Sequence, residues 1–144
     1  PEIEEEEPYQ IGKAKIRKKG KDITLVSYSK TMLTVLEAAK QLEEAGISAE
    51  VIDLITLSPW DKETVLESVK KTGHLCICHE AVKQGGFGAE IAATAAEEAF
   101  ADLKGPVLRL AAPFTPVPFA PSMEDKVRVH VEDIVNAVKN TLRG

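Results

Sequence analysis

The sequence predicts an α/β domain of three layers, in which helices cover both faces of a central sheet. Short apolar, β-branched segments alternate along the chain with amphipathic segments of helical periodicity, the pattern of parallel βαβ units. The length of 144 residues, with 44% hydrophobic and 28% charged residues, is that of one globular domain. We therefore expect a single α/β/α domain.

Five segments are predicted to be strands. The first alternates charged and apolar residues, as an edge strand does. The others are continuous apolar runs, which is typical of strands buried on both faces. The predicted strands are 13–17, 23–28, 49–54, 75–78 and 107–110. From the residues alone, the edge strand is expected to pair with its sequence neighbour as a hairpin.

Four helices are predicted between and after these strands. Gly46 and Gly73 follow helical patterns and are suited to end them, and Asp61 is a suitable N-cap. The predicted helices are 31–45, 62–72, 89–103 and 131–142. The segment 113–121 between the last strand and the last helix is rich in proline and is predicted to be a loop.

The composition excludes several classes of function. A net charge of −5 gives no general attraction for nucleic acid or anionic lipid, so we expect neither as a partner. No apolar run approaches the roughly 20 residues that span a bilayer. Two cysteines rule out a disulfide scaffold and suit a reducing cytosol or mitochondrial matrix.

A cluster of potential metal ligands occupies the third apolar strand. It contains His74, Cys76, Cys78, His79 and Glu80. Residues i and i+2 of a strand lie roughly 6.6 Å apart. Two thiolates that share a zinc ion must lie closer, because Zn–S bonds are about 2.3 Å long, and the same spacing disfavours a disulfide. We predict no metal site and expect both cysteines to be small buried apolar groups.

The carboxyl end of this strand is the candidate ligand cleft, since open parallel sheets bind ligands at that edge. His79 and Glu80 could act there as an acid and a base, or could lie at a subunit interface. The glycine-rich turn that follows could bind an anion at a helix N-terminus, or could allow close helix–strand packing. The alternative function of the chain is therefore a regulatory module that binds a small ligand or anion at 79–88.

The proline-rich loop could present two aromatic side chains for docking, or could be a connector whose aromatics are buried. The candidate interface or cleft residues are His79, Glu80, Gly85, Gly86, Phe87, Gly88, Phe114 and Phe119.

Four segments resemble one known family. They are IGKAKIRKKGKDITLVSYS at 11–29, AEVIDLITLSPWDKETVLESVKKTGHL at 49–75, HEAVKQGGFGAEIA at 79–92 and TPVPFAP at 115–121. Together they resemble the C-terminal domain of the beta subunit of 2-oxo acid dehydrogenases, which is of the transketolase C-terminal type. The segment 79–92 favours this branch over transketolase and deoxyxylulose phosphate synthase.

The resemblance implies a five-stranded mixed sheet of order 1-3-2-4-5, with the first strand antiparallel. Residues 11–144 would form the domain, and residues 1–10 the linker from a preceding pyrimidine-binding domain. The parent reaction would be oxidative decarboxylation of pyruvate or a branched-chain 2-oxo acid, with acyl transfer to lipoyl.

The resemblance also implies that the reaction centre is shared with other polypeptide. In the family, thiamine diphosphate and magnesium lie between the alpha subunit and the N-terminal domain of the beta subunit, and the catalytic histidine of that subunit lies outside the matching segments. We therefore assign no catalytic, cofactor-binding or metal-binding residue to this chain, and expect it to be inactive alone.

The implied partners are the alpha subunit and second beta subunit of a heterotetramer, and the basic subunit-binding domain of the acyltransferase core. Carboxylates would steer that last association. The candidate docking acids are Glu124, Asp125, Glu132 and Asp133. The family often has Asp where this chain has Phe114, so the contact made by this loop is expected to differ.

Overall fold

The computed structural model describes residues 8–116, 118 and 120–143, which form one five-stranded sheet flanked by helices. The strands are β1 (Lys15–Lys18), β2 (Ile23–Ser27), β3 (Ala49–Asp53), β4 (Leu75–Val82) and β5 (Leu108–Ala112). The helices are α1 (Thr31–Glu44), α2 (Lys62–Thr72), α3 (Phe87–Glu98), α4 (Pro121–Lys126) and α5 (Val131–Arg143), with a 3-10 turn at Phe100–Asp102.

Two apolar cores, one on each face of the sheet, confirm the three-layer prediction. Helices α1 and α5 cover one face, where Leu25 and Val51 meet Val35 and Ile134. Helices α2 and α3 cover the other face, where the next residues along the strands, such as Val26, point. This alternation follows from the two-residue repeat of a strand and explains why the central strands are apolar throughout.

The sheet order is β1-β3-β2-β4-β5, with β1 antiparallel to β3 and the other pairs parallel. This confirms the order implied by the family resemblance. The hairpin expected from the residues alone was wrong, because β2 lies between β3 and β4 and has no free edge. An ion pair between Arg17 and Asp53, 2.8 Å long, holds β1 against the end of β3.

Gly20 allows the chain to turn from β1 into β2 at the start of β3. A Cβ at this position would lie 2.2 Å from the backbone carbon of Ala49 and from the nitrogen of Glu50. The side chain of Glu50 is buried and pairs with Lys71. Because neighbouring backbone occupies that space, we infer that the crossing requires glycine.

The helix ends confirm two of the predicted signals. Asp61 accepts a hydrogen bond from the Thr64 backbone N–H at 3.3 Å, and Gly73 ends α2 with a left-handed φ of 77°. Other bounds differ from the prediction. Helix α3 starts at Phe87 and ends at Glu98, β4 continues to Val82, and α4, with Pro121 in its first turn, lies at the end of the predicted loop.

The two cysteines are fully buried in the core under α1 and α5, as predicted. Both thiols are free, and their sulfur atoms lie 3.7 Å apart. The contact with Cys76, together with burial, raises the pKa of the Cys78 thiol. In the described residues, no helix combines the length and the apolar character that crossing a bilayer requires.

Candidate functional site

A cleft of about 290 Å³ lies where the carboxyl ends of β4 and β5 meet α4. Its walls are mostly apolar, and include Val82, Ala112 and Pro113. Three charged side chains also line it: Glu80, Glu124 and Arg128. We call it the strand-end cleft. It lies at the carboxyl ends of the strands, where the sequence predicts a cleft, but of the candidate cleft residues that the structure describes it contains only Glu80.

His79 does not face this cleft. Its side chain is fully buried, and its ring stacks on Tyr28 with centroids 5.8 Å apart. The ring of Phe87 packs edge-on against both Tyr28 and Trp60. The imidazole is therefore part of an aromatic cluster beneath the start of α3.

Two glycines of the predicted anion-binding turn make room for this imidazole. A Cβ at Gly88 would lie 2.4 Å from Nε2 of His79, and a Cβ at Gly86 would lie 2.9 Å from its Cε1 and 2.2 Å from the Val82 carbonyl oxygen. Of the two alternatives left open by the sequence, this geometry favours close packing of helix on strand.

The contacts of His79 determine which nitrogen carries the proton when the ring is neutral. Its Nδ1 lies 3.1 Å from the Ala81 carbonyl oxygen, which can only accept, so Nδ1 carries the proton. The other nitrogen, Nε2, is buried and has no hydrogen-bond partner among the described residues. Burial lowers the pKa of His79, and the charge of Arg109 lowers it further.

This depressed pKa predicts that acid destabilises the fold. The unfolded histidine, with a pKa of about 6.5, takes up a proton before the folded one does. Stability should therefore be complete above about pH 6.5 and should decline as the pH falls through that value toward the folded-state pKa. Urea unfolding between about pH 5.5 and 7.5 measures the decline.

The matched variant for this test is His79→Gln, which cannot be protonated. We expect its stability to vary less with pH than that of the parent chain. His74, whose pKa is lowered by burial and by Lys104, retains its share of the decline in both proteins. An equally steep decline in the variant would contradict the assignment to His79.

Glu80 points away from His79, because consecutive residues of a strand face opposite sides. It is exposed, and its Oε1 accepts a hydrogen bond of 3.1 Å from the Ser29 hydroxyl. Its charge adds to the burial that raises the pKa of Tyr28. The sheet therefore separates the two groups that the sequence suggested as an acid–base pair.

The four candidate docking acids lie on α4 and the first turn of α5. Glu124 forms an ion pair with Arg128, and Asp133 accepts a hydrogen bond of 2.9 Å from the His130 backbone N–H. The side chains of Asp125 and Glu132 are exposed. Two of the four acids are thus engaged locally, and two are displayed to solvent. We call these four residues the acidic segment.

The structure describes one of the two aromatic residues of the proline-rich loop. Phe114 is 73% exposed and lines a second hollow with Lys83 and Arg109. The prediction for Phe119 lies outside the described residues. For Phe114, the structure favours surface display over burial in a connector.

Sequence reasoning missed Arg128, which lines three neighbouring hollows and pairs with Glu124. No motif marks this residue. A signal for its helical neighbour did exist, since Pro121 and Glu124 are typical of a first helical turn. Recognising α4 would have placed Arg128 one helical turn from Glu124, but not beside the strand ends.

The described residues do not fit the cofactor that the resemblance implies. Thiamine diphosphate would need carboxylate or similar ligands for its magnesium ion. In the described ranges, no three His, Cys, Asp or Glu side chains converge in a way that could hold a metal ion. We therefore derive no chemical step through that group on this chain.

Comparison with known proteins gives a consistent result. Residues 12–134 match the family described as "Transketolase, C-terminal domain". The mitochondrial pyruvate dehydrogenase E1 component subunit beta of Dictyostelium discoideum is 44% identical over 90% of this chain. The mitochondrial 2-oxoisovalerate dehydrogenase subunit beta of the same organism is 51% identical over 75% of this chain.

A solved structure described as "Split gene transketolase, inactive beta4 tetramer" superposes with a TM-score of 0.83 at 31% identity and covers 99% of this chain. The chain spans 46% of that structure's polypeptide, 36% of the first relative and 30% of the second. The similarity therefore concerns one part of longer proteins.

Proposed function

The chain belongs to the transketolase C-terminal domain family, and on that premise we propose that it is the C-terminal domain of a 2-oxo acid dehydrogenase beta subunit. The observation that carries the proposal is the identity of 44% and 51% to two such subunits. The parent reaction is oxidative decarboxylation of a 2-oxo acid with acyl transfer to lipoyl. The two relatives are named for different substrates, pyruvate and 2-oxoisovalerate, so the proposal names the class.

The role of this domain is assembly and docking. Its partners are the alpha subunit, a second beta subunit, and the basic subunit-binding domain of the acyltransferase core. The displayed carboxylates Asp125 and Glu132 support this role, because they can attract a basic partner over distance. Thiamine diphosphate and magnesium are held elsewhere in the parent enzyme. Residues 1–10 are its linker, and the compartment is the mitochondrial matrix or the cytoplasm of a bacterium or archaeon.

The first test is catalysis by residues 1–144 alone. With thiamine diphosphate, Mg²⁺ and carboxyl-labelled pyruvate or 2-oxoisovalerate, we expect no release of labelled CO₂ above a protein-free blank. The complete enzyme, with its alpha subunit and full-length beta subunit, is the positive control. Turnover by the isolated chain would contradict the assembly role.

The second test is docking, measured by calorimetry with the subunit-binding domain encoded by the same genome. The double variant Asp125→Lys with Glu132→Lys reverses two charges and should lower the affinity about tenfold. Exposed charges at an interface mainly steer association, and the reversed charges would repel the basic partner. The control is Glu67→Lys, an exposed acid on α2 at the opposite face of the sheet. Equal affinities of the two variants would exclude the acidic segment as the docking surface.

A further inference from the structure

Strand β5 is an edge strand of the sheet. It pairs with β4 on one side, and no other strand pairs with it in the described part of the chain. All five of its residues are partly exposed, whereas every residue of β2 and β3 is buried. The outer N–H and C=O groups of such a strand are a template for another extended chain.

Two hollows of about 430 and 440 Å³ flank this strand. The first is lined by Arg109, Leu110 and Ala111, three consecutive residues. Because consecutive residues face opposite sides of a sheet, a hollow that touches all three follows the strand edge. The second is lined by Phe114 and shares Lys83 and Arg109 with the first. An added strand would project side chains toward both faces, and these hollows could receive them.

The charge along this edge is positive, although the chain carries a net charge of −5. Arg109 donates a hydrogen bond of 2.9 Å to the Lys83 carbonyl oxygen, which fixes its guanidinium beside the strand. Lys126 lines the first hollow. In the described ranges, no carboxylate forms an ion pair with any of these three side chains. Of the acids that the structure describes, one lines these hollows: Asp133, which accepts a hydrogen bond from the His130 backbone N–H.

The positive charge along β5 indicates which kind of strand can pair with this edge. If two copies of the chain paired edge to edge through β5, each would bring Arg109 and Lys83 toward the same residues of the other. Like charges in facing strands destabilise the pair. An extended segment with acidic side chains would instead be attracted. The cations thus discourage self-association and favour an acidic partner.

We propose that the outer edge of β5 binds an extended acidic segment of a partner protein by strand addition, with its carboxylates at Lys83, Arg109 and Lys126. Apolar side chains of the segment alternate with the acids, and one of them covers Phe114. This surface adjoins the acidic segment at Asp133, which lines the first hollow, but its cations select an acidic partner, whereas the acidic segment selects a basic one.

The test uses residues 1–144 and a fluorescent peptide of roughly seven alternating Glu and Val residues, about the length of a typical strand. Fluorescence anisotropy at low salt measures the affinity. We expect saturable binding of the Glu–Val peptide. The affinity of a matching Lys–Val peptide should be at least tenfold lower. Methylating alternate backbone nitrogens, which removes the donors on one edge of the peptide and keeps its charge, should also abolish binding.

Variants of the chain locate the site. Arg109→Glu should weaken binding at least tenfold, and Lys40→Glu, at an exposed position of α1, should leave it within twofold. Since Arg109 also contacts the Lys83 backbone, the double variant Lys83→Glu with Lys126→Glu provides a second measurement should Arg109→Glu fold poorly.

Three outcomes would overturn the proposal. The first is equal binding of the methylated peptide, which would mean that charge alone is responsible. The second is no saturable binding of the acidic peptide. The third is self-association in sedimentation velocity that Arg109→Glu abolishes, which would assign the edge to a second copy of the chain.

Discussion

Replacing Asp61 with alanine is expected to lower the free energy of unfolding by about 2–3 kcal/mol. Asp61 is 2% exposed, and its carboxylate joins the start of α2 to the chain that enters β1. Its Oδ2 accepts hydrogen bonds from the Ala14 N–H at 3.0 Å and the Thr64 hydroxyl at 2.8 Å, while its Oδ1 accepts the helix-capping bond from the Thr64 N–H. The variant would remove the cap of α2 and the tether of the chain entering β1.

Urea unfolding followed by circular dichroism measures this loss. The matched control is Asp133→Ala, which removes an exposed cap at the start of α5 and should cost less than about 1 kcal/mol. Similar losses for the two variants would mean that the buried tether to Ala14 contributes nothing.

The loss at Asp61 should also depend on pH. Burial alone would raise the pKa of this carboxyl, but the hydrogen bonds from Ala14 and Thr64 outweigh it, so the pKa lies below its ordinary value. The stability that the carboxylate contributes is therefore complete above its unfolded pKa of about 3.9 and is lost as the pH falls through the folded value. The difference in the free energy of unfolding between the parent chain and Asp61→Ala should therefore become smaller in strong acid.

Replacing Gly88 with alanine is expected to destabilise the fold by about 1–3 kcal/mol, because the new methyl group would enter the space of a fixed imidazole. The Cβ would lie 2.4 Å from Nε2 and 2.7 Å from Cδ2 of His79. The ring cannot move aside freely, since it donates a hydrogen bond to the Ala81 carbonyl oxygen and stacks on Tyr28. Thermal and urea unfolding give the loss.

In a His79→Ala background, the cost of the same substitution should fall to near zero. With the imidazole gone, the higher helix propensity of alanine, worth up to about 1 kcal/mol, opposes the remaining close contact of the new methyl group with Cγ2 of Ile77 at 3.3 Å. This double-mutant cycle isolates the contact between the two residues. A cost that persists in the His79→Ala background would show that the glycine is needed for another reason.

These two predictions concern the positions that join the strand ends to the helices. Asp61 fixes the start of α2, and Gly88 with His79 fixes the start of α3. The docking role that we propose needs such fixed elements, because an interface is precise only when the backbone beneath it is rigid. We expect loosening at either position to weaken docking as well as stability.

Among the described residues, the sequence alone determined the five strands and the helices α1, α2, α3 and α5, but it missed α4. A strand that is covered on both faces is a short continuous apolar run, and a helix that is covered on one face has apolar residues about every 3.6 residues, so each segment carries its own pattern. The cap at Asp61 and the buried pair Cys76 and Cys78 could be predicted for the same reason, since each depends on residues close along the chain.

The tertiary structure alone decided which segments lie side by side. Whether β1 pairs with β2 or β3 depends on which strand edge is free, and that depends on contacts between residues far apart in sequence. The same long-range contacts bury His79, expose Glu80, and bring Arg128 to the strand-end cleft. The periodicity of a segment cannot predict these contacts. It indicates which residues of that segment are buried, but not which other segment packs against them.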